Sequence, residues 1–215
     1  TDEPDPDSQT YEQAERQPVL PDLDGCIRHG NSLVSFEEFA AFAPDAVPEL
    51  LGRVTPFTWA TEFPDESARG GFNVIVGNPP YIRIQNMVTY SPEEVEFYQR
   101  AESPYTTAQI GNFDKYALFI ERSVGLLHPH GRLGFIVPHK FMTLPSGRAV
   151  RRLLTEERMV EELVNFGTQQ VFGANTRNYT CILVLTKSGS ERVQVEKVLD
   201  LARWRYGEPV SYTHL

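Results

Sequence analysis

The chain has 215 residues, of which 40% are hydrophobic, enough to bury a sizeable core in one or two domains. Its two cysteines, Cys26 and Cys181, lie in predicted strands without partners at metal-ligand spacing, and no apolar stretch approaches membrane-spanning length. We therefore expect a cytoplasmic protein with buried, inert thiols, no metal site and no membrane contact.

The net charge of −9 is unusual for a protein that binds nucleic acid, because phosphate contacts normally come from clustered lysine and arginine. Much of the acidity lies in the first 24 residues, among prolines and polar residues, and predicts a disordered lead-in over residues 1–17. Basic side chains follow at Arg83, His139, Lys140 and, on one predicted helix, Arg148, Arg151 and Arg152. For the last three, a solvated helix face is favoured over phosphate contact.

Hydrophobic periodicity and turn signals predict alternating strands and helices. In chain order they are a strand near 25–29 that ends in Gly30-Asn31, a helix over 36–42, a helix or turn around 45–52, a strand over 72–77, a helix that begins after Ser91-Pro92, a helix over 113–127, a strand over 132–137, a helix over 146–156, and strands near 160–166, 179–186 and 192–199. This alternation is typical of a parallel-rich α/β sheet. The short linker between the last two strands predicts an antiparallel hairpin at the edge of the sheet.

The most informative segment is a β-branched run that leads through Gly77 into Asn78-Pro79-Pro80-Tyr81. The run predicts a strand that is covered on both faces, and Gly77 is expected to let the chain turn out at its carboxyl end, where ligands of such sheets bind. Because consecutive prolines disfavour helical geometry, the Asn78 amide and the Pro79 carbonyl are expected to form a stiff pair of acceptors. The ring of Tyr81 follows directly.

Two acceptors beside a flat ring suit the methylation of a planar amine. The lone pair of such an amine is delocalised, so acceptors that bind its two hydrogens position the nitrogen and stabilise the charge that builds during attack. A base flipped out of a duplex also needs a surface on which to stack. We therefore predict Asn78, Pro79 and Tyr81 as catalytic residues, with Tyr81 also binding substrate. A Pro-Pro turn with a tyrosine that caps the core is the less favoured alternative.

The motif and its surroundings resemble the amino-methyltransferase superfamily, above all the adenine-specific DNA methylases of type IIG and related restriction-modification or phage-defence systems. Further matching segments lie at 112–121, 131–138, 164–167 and 179–185, and the resemblance covers roughly residues 18–200. It implies a prokaryotic protein with a Rossmann-like sheet, S-adenosylmethionine as cofactor, and double-stranded DNA with a flipped adenine as substrate. It also implies a nuclease or specificity domain or subunit in the full-length system.

The resemblance assigns roles to two more residues. Phe172 occupies the place of a second aromatic against the flipped base, although closing the core is an equal alternative. Asn31 occupies a place where the family commonly has an acceptor for the adenine amine of the cofactor. A turn-forming asparagine after Gly30 is nearly as well supported.

A complete methylase of this class carries a glycine-rich turn and an acidic ribose partner, and residues 1–71 contain neither. We therefore interpret the chain as an internal fragment whose first sheet strands are absent, with a partial catalytic domain over 18–200. Residues 201–215 form a tail whose end departs from the family pattern, and we assign it no function. A glutamine-amide or RNA-amine methyltransferase, and a catalytically silent remnant that binds nucleic acid or partner subunits, are the alternatives.

Overall fold

The computed structural model describes residues 25–109, 111–172 and 179–207, and the backbone of 212–214. The chain divides into two compact units, residues 1–30 and 31–215. In the first unit, residues 25–30 form a turn and irregular chain with exposed side chains, so the strand predicted near 25–29 is wrong and Cys26 is exposed. The predicted lead-in over 1–17 lies outside the described residues.

The second unit places short helices before and between the strands of one sheet. The helices are α1 (Phe36–Phe42), α2 (Pro48–Val54), α3 (Trp59–Glu62), α4 (Pro64–Ala68), α5 (Ile84–Met87), α6 (Pro92–Gln99), α7 (Lys115–Leu126), α8 (Arg148–Glu156) and α9 (Leu201–Arg205). The strands are β1 (Phe72–Gly77), β2 (Leu127–Pro138), β3 (Val160–Asn165), β4 (Thr180–Thr186), β5 (Gln194–Lys197) and β6 (Tyr212–His214). Single turns of 3-10 helix lie at Thr106–Ala108, His139–Met142 and Pro145–Gly147. None of the helices in the described ranges has the length and apolarity needed to cross a lipid bilayer.

The strands pair in the order β1-β2-β4-β3-β5-β6. β1 is parallel to β2 and β3 is parallel to β5, whereas β4 is antiparallel to both of its neighbours, β2 and β3. β1, β2 and β3 therefore run in the same direction, and their carboxyl ends lie at one edge of the sheet. The predicted α/β class is thus confirmed, but the sheet is mixed rather than parallel-rich, because three of the five strand pairs among the described residues are antiparallel.

The predicted hairpin between 179–186 and 192–199 is wrong, because β3 lies between β4 and β5. Cys181, Leu183 and Leu185 make β4 one of the most deeply buried strands, so it belongs in the middle of the sheet, where both of its edges are paired. The antiparallel pair at this end of the sheet is formed instead by β5 and β6.

Helix α7 joins two hydrophobic cores. Tyr116 and Ile120 pack into the core that covers the sheet, whereas Leu118 packs into a second core built around α1 and α6. Phe119, which is partly buried, packs against both cores. The amphipathic helix predicted over 113–127 is thus confirmed, and it is apolar on more than one face because it separates two cores.

A polar cluster ties α6 to α7 within the second core. The Glu94 carboxylate accepts from Lys115 at 2.9 Å and from the Tyr98 hydroxyl at 2.6 Å. Burial alone would raise the pKa of Glu94, but the Lys115 ammonium and hydrogen bonds from Tyr98 and Ser91 outweigh it and lower that pKa. Ser91 is the N-cap of α6, and its hydroxyl donates to Glu94 rather than capping the helix backbone.

Strand β1 is not covered on both faces as predicted. It lies at the edge of the sheet with β2 as its one neighbour among the described strands, and Val74 and Val76 are 64% and 79% exposed. Ile75, which points the other way, packs against the sheet core. An apolar groove of about 240 Å³ beside β1 is lined in part by Trp59 and Phe119. The chain therefore exposes both the backbone edge of β1 that is unpaired among the described strands and the apolar side chains of β1, which favours association with another chain.

We predict that replacing Val74 and Val76 together by lysine weakens self-association of the chain. Hiding two valine side chains contributes roughly 1.5–3 kcal/mol each, so the apparent dissociation constant should rise by at least about tenfold. Sedimentation velocity over a range of concentrations measures this change. The matched control replaces Val47 and Val88, which are exposed outside β1, by lysine. Equal effects of the two double substitutions would show that net charge, not the β1 edge, governs association.

Candidate active site

The loop at 78–81 leaves the sheet at the shared carboxyl edge of the parallel strands. Asn78 is exposed, Pro79 is buried, and Tyr81 is half-buried. Gly77 does not have a positive φ, so it is not needed for a turn as predicted. A Cβ at this position would lie 2.9 Å from Cε1 of Phe135 on β2. Gly77 therefore serves close packing between β1 and β2.

The Tyr81 hydroxyl fixes the loop. Its oxygen lies 2.8 Å from Oδ1 of Asn78 and 2.9 Å from the backbone carbonyl oxygen of Ile136 on β2. Burial, with a smaller contribution from nearby Cys181, raises the pKa of Tyr81 to about 12, so the hydroxyl keeps its proton at neutral pH. A single proton thus has two acceptors, one of which is the amide oxygen predicted to bind the substrate amine.

The Tyr81 ring is held against the sheet core. It meets Tyr116 edge to face, with ring centroids 6.4 Å apart, and Tyr116 itself is buried. The ring is only half-buried, so part of it remains open beside Asn78. The structure therefore brings Asn78 and Tyr81 together, as the motif predicts, and adds a role for the hydroxyl that the prediction did not include.

Pro79 is the member of the motif least open to a substrate. The whole residue is buried, although its carbonyl is the second acceptor that the sequence predicts. In this conformation of the loop, Asn78 is the accessible acceptor. The pair of acceptors stays a prediction.

Asn31 is engaged in a turn. Its Oδ1 accepts from the backbone N–H of Leu33 at 3.2 Å, and its backbone N–H donates to Thr55 at 2.7 Å. Because the amide oxygen predicted to serve the cofactor already accepts within the chain, the geometry favours the turn-forming alternative.

Phe172 lies in a turn of the β3–β4 connection, and its side chain is 45% exposed. This connection begins at the carboxyl end of β3, the edge from which the 78–81 loop also leaves. The ring does not close the core, which disfavours one of its two predicted roles. Residues 173–178, which follow it, lie outside the described ranges.

A pocket of about 470 Å³ opens at the same edge and was not predicted. Its lining comprises Arg83, Gln85, Gly111, Asn112, Phe113, Asp114, Lys140, Leu144, Pro145 and Ser146. Nζ of Lys140 lies 2.8 Å from Oδ1 of Asp114, whose side chain is 7% exposed. The sequence marked Arg83 and Lys140 only as basic groups. Asp114 lies in the segment 112–121 that carries the family resemblance, but no sequence pattern predicts its ion pair with Lys140, which is 26 residues away.

The arginines of α8 serve internal and surface contacts. Nη1 of Arg151 donates to the backbone carbonyl of Leu144 at 2.9 Å, and Arg152 pairs with Glu156 one turn along the helix at 2.7 Å. Arg148 is exposed. The exposed Arg148 and Arg152 agree with the favoured interpretation of a solvated helix face, whereas the half-buried Arg151 is bound to the backbone of the preceding turn.

Comparison with known proteins gives consistent matches. A model of the Eco57I restriction-modification methylase family matches residues 5–172. The type II restriction enzyme and methyltransferase RM.Eco57I of Escherichia coli is 36% identical over 189 residues, 87% of this chain and 17% of that protein. The type II methyltransferase M.PaeR7I of Pseudomonas aeruginosa is 29% identical over 126 residues, 59% of this chain and 21% of that protein. The chain thus spans about a fifth of the length of these relatives.

Among solved structures, the type IIL restriction-modification enzyme MmeI in complex with DNA superposes with a TM-score of 0.50. Sequence identity is 11%, and the match covers 74% of this chain and 20% of that one. At this identity the likeness concerns the fold alone, and it agrees with the predicted Rossmann-like sheet.

We predict that Tyr81→Phe lowers the free energy of unfolding by about 1 kcal/mol, because the substitution removes the hydroxyl and with it the hydrogen bonds to Asn78 and Ile136. Tyr81→Ala should cost more, about 2–3 kcal/mol, because the half-buried ring is lost as well. Urea denaturation followed by circular dichroism measures both values. Tyr206→Phe, which changes an exposed tyrosine, is the control and should have no effect. An unchanged Tyr81→Phe variant would show that the hydroxyl does not hold the loop.

Proposed function

We propose that this chain, which belongs to the Eco57I restriction-modification methylase family, is part of the catalytic domain of a site-specific DNA adenine methyltransferase. The proposed reaction transfers a methyl group from S-adenosylmethionine to the exocyclic amine of an adenine flipped out of the duplex. The observation that carries the proposal is the exposed Asn78 amide, held by the Tyr81 hydroxyl at the carboxyl edge of the sheet.

Asn78 is the proposed acceptor for one amine hydrogen. In the free protein its Oδ1 accepts from Tyr81, and the second lone pair of this amide oxygen remains for the amine hydrogen. The Tyr81 hydroxyl is itself held by the carbonyl of Ile136 at 2.9 Å. The acceptor is thus held in position before the substrate arrives and keeps that position when the amine binds.

The Pro79 carbonyl is the proposed second acceptor. Because Pro79 is buried, reaching this oxygen requires a small shift of the loop when the base is seated. Two acceptors then draw electron density toward the amine nitrogen and stabilise the positive charge that develops on it.

Tyr81 and Phe172 are the proposed stacking surfaces for the extruded base. An adenine that leaves the duplex loses its neighbours, and stacking on an aromatic side chain recovers about 1–3 kcal/mol per base. The Tyr81 ring is fixed beside Asn78 by Tyr116 and the sheet core. The exposed Phe172 belongs to a connection that starts at the same edge.

The methyl donor we propose is S-adenosylmethionine, which supplies the electrophilic methyl group. The described residues do not make a cradle for it. Asn31 is committed to its turn, and β1 has an open edge with exposed Val74 and Val76 rather than a lined pocket. We therefore assign the cofactor no contacts in this chain.

A glutamine-amide or RNA-amine substrate would also suit two acceptors beside a ring. The matched relatives carry the names of type II restriction enzymes and methyltransferases, which favours DNA. Parallel assays with unmethylated genomic DNA, RNA and release-factor protein distinguish these substrates. A silent remnant would methylate none of them.

We predict that Asn78→Ala lowers DNA methylation about 100- to 1000-fold in the polypeptide that the reading frame of this chain encodes, because a preorganised polar contact to the reacting group is lost. Transfer of a labelled methyl group to genomic DNA from a methylation-deficient host measures the rate without knowledge of the recognition sequence. Asn73→Ala is the matched control, since Asn73 is an exposed asparagine near the other end of β1. Full activity in a folded Asn78→Ala protein would refute the assignment.

We also predict that the 215 residues alone bind S-adenosylmethionine weakly or not at all, because a small ligand needs several convergent polar groups in a formed pocket. Isothermal titration calorimetry of the purified chain tests this directly. Tight binding would show that a cofactor site exists within the chain, and Asn31→Ala would then reveal whether Asn31 is part of it.

A further inference from the structure

The pocket of about 470 Å³ lined by Arg83, Asp114 and Lys140, called here the Arg83–Lys140 pocket, contains charges that the proposed chemistry at Asn78 does not use. We propose that it binds a phosphodiester group of the target strand next to the flipped nucleotide. Arg83 is the direct contact, and Lys140, held by Asp114, is the second positive group. This inference rests on the proposed function, because it names where the backbone of the same substrate lies.

The walls of the pocket are fixed by backbone hydrogen bonds. The N–H of Ile84 donates to the carbonyl of Phe113 at 3.0 Å, and the N–H of Lys115 donates to the carbonyl of Ile82 at 2.7 Å. Between them, Arg83 and Asp114 form an antiparallel bridge. The chain after the Tyr81 loop is thus joined to the start of α7, and the pocket is formed before any ligand binds.

The net charge of the pocket is positive, although the net charge of the whole chain is −9. Its lining contains two cations, Arg83 and Lys140, and one carboxylate, Asp114, which leaves one net positive charge. The carboxylate is nearly buried and engages one side of the Lys140 ammonium, so that cation is held in place. An ammonium has three donors, and the remaining ones can bind an anion.

Arg83 is suited to the phosphate contact itself. Its side chain is exposed at the pocket and forms no ion pair with the residues that the structure describes, so its guanidinium needs no rearrangement of a partner before it binds. The planar fork of arginine matches two phosphate oxygens. The side chains of Gln85, Asn112 and Ser146 add neutral donors around the same space.

The position of the pocket matches a phosphate near the target base. Arg83 follows Asn78 by five residues, and Lys140 follows the carboxyl end of β2, the strand that pairs with β1. A volume of about 470 Å³ lies within the range of small-ligand pockets and exceeds the need of a bare phosphate. It therefore accommodates part of the adjoining nucleotide as well.

The test measures how binding of a single-stranded oligonucleotide to the chain depends on salt, by fluorescence anisotropy. A single strand needs no base flipping to reach the pocket. Because each phosphate contact contributes about 0.7 to the slope of log K against log salt for single strands, Arg83→Gln should lower that slope by about 0.7 and weaken binding equally for different sequences. Arg83→Lys keeps the charge and should restore the slope.

Arg69→Gln is the matched control. Arg69 is an exposed arginine ahead of the amino end of β1, at the opposite edge of the sheet, and its loss changes the net charge by the same amount. Circular dichroism confirms folding of each variant. Equal slopes for Arg83→Gln and Arg69→Gln would overturn the phosphate site while the Asn78 assay still tests the proposed function.

Two further outcomes also overturn the proposal. If Arg83→Gln alters calorimetric binding of S-adenosylmethionine but not the salt slope, the pocket serves the cofactor. If the unmodified chain binds no oligonucleotide at low salt, the phosphate site is wrong. The proposed function is rejected as well only if the polypeptide that the reading frame of this chain encodes does not methylate DNA.

Discussion

The pairing of β2 on both of its edges is the constraint on which the rest of this structure depends. β1 pairs with β2 in parallel, and β4 pairs antiparallel with β2 on one side and with β3 on the other. Val137 of β2 and Asn165 of β3 therefore face Cys181 of β4 from opposite sides. This arrangement brings the carboxyl ends of β1, β2 and β3 to one edge. The Asn78 loop, the segment that carries Lys140 and the turn that carries Phe172 all leave from it.

A second constraint is the single proton of the Tyr81 hydroxyl, which has two acceptors, the Asn78 amide oxygen and the backbone carbonyl of Ile136 on β2. Its contact with the Ile136 carbonyl anchors the loop to β2, and its contact with Asn78 orients the amide. Since the raised pKa keeps the hydroxyl protonated, the acceptor is oriented by a neutral donor across the physiological pH range. An amide held in this way meets the requirement of electrostatic preorganisation, which is that polar groups do not reorganise during reaction.

The amino end of α7 links the site to both cores. Asp114, its N-cap, holds Lys140 of the pocket, and the next residue, Lys115, pairs with Glu94 of the second core. Tyr116 then supports the Tyr81 ring from the sheet core. Three consecutive residues therefore connect the pocket, the helical core and the candidate active site, so a disturbance of this helix start should affect all three.

Local features were predictable from the sequence because their causes are local. The helix over 36–42 has its capping box, the strand over 72–77 has its β-branched run, and the Asn78-Pro79-Pro80-Tyr81 motif carries its own stiffness. The family also followed from the order of such segments. The prediction of a strand near 25–29 was wrong because this segment has only two apolar residues, Cys26 and Ile27, and a local pattern does not by itself provide a pairing partner.

The sequence by itself determined the chemical groups of the site, the five longer helices α1, α2, α6, α7 and α8, and most of the strand positions, but not the short helices α3, α4, α5 and α9. Only the tertiary structure decided that β4 inserts between β2 and β3, that β1 is an exposed edge, and that Asn31 is used in a turn. It also decided the partners of Tyr81 and Lys140, which lie 55 and 26 residues away in the chain. Strand pairing and buried polar contacts join residues that are distant in sequence, and their free energies depend on a shared desolvated environment that no local pattern specifies.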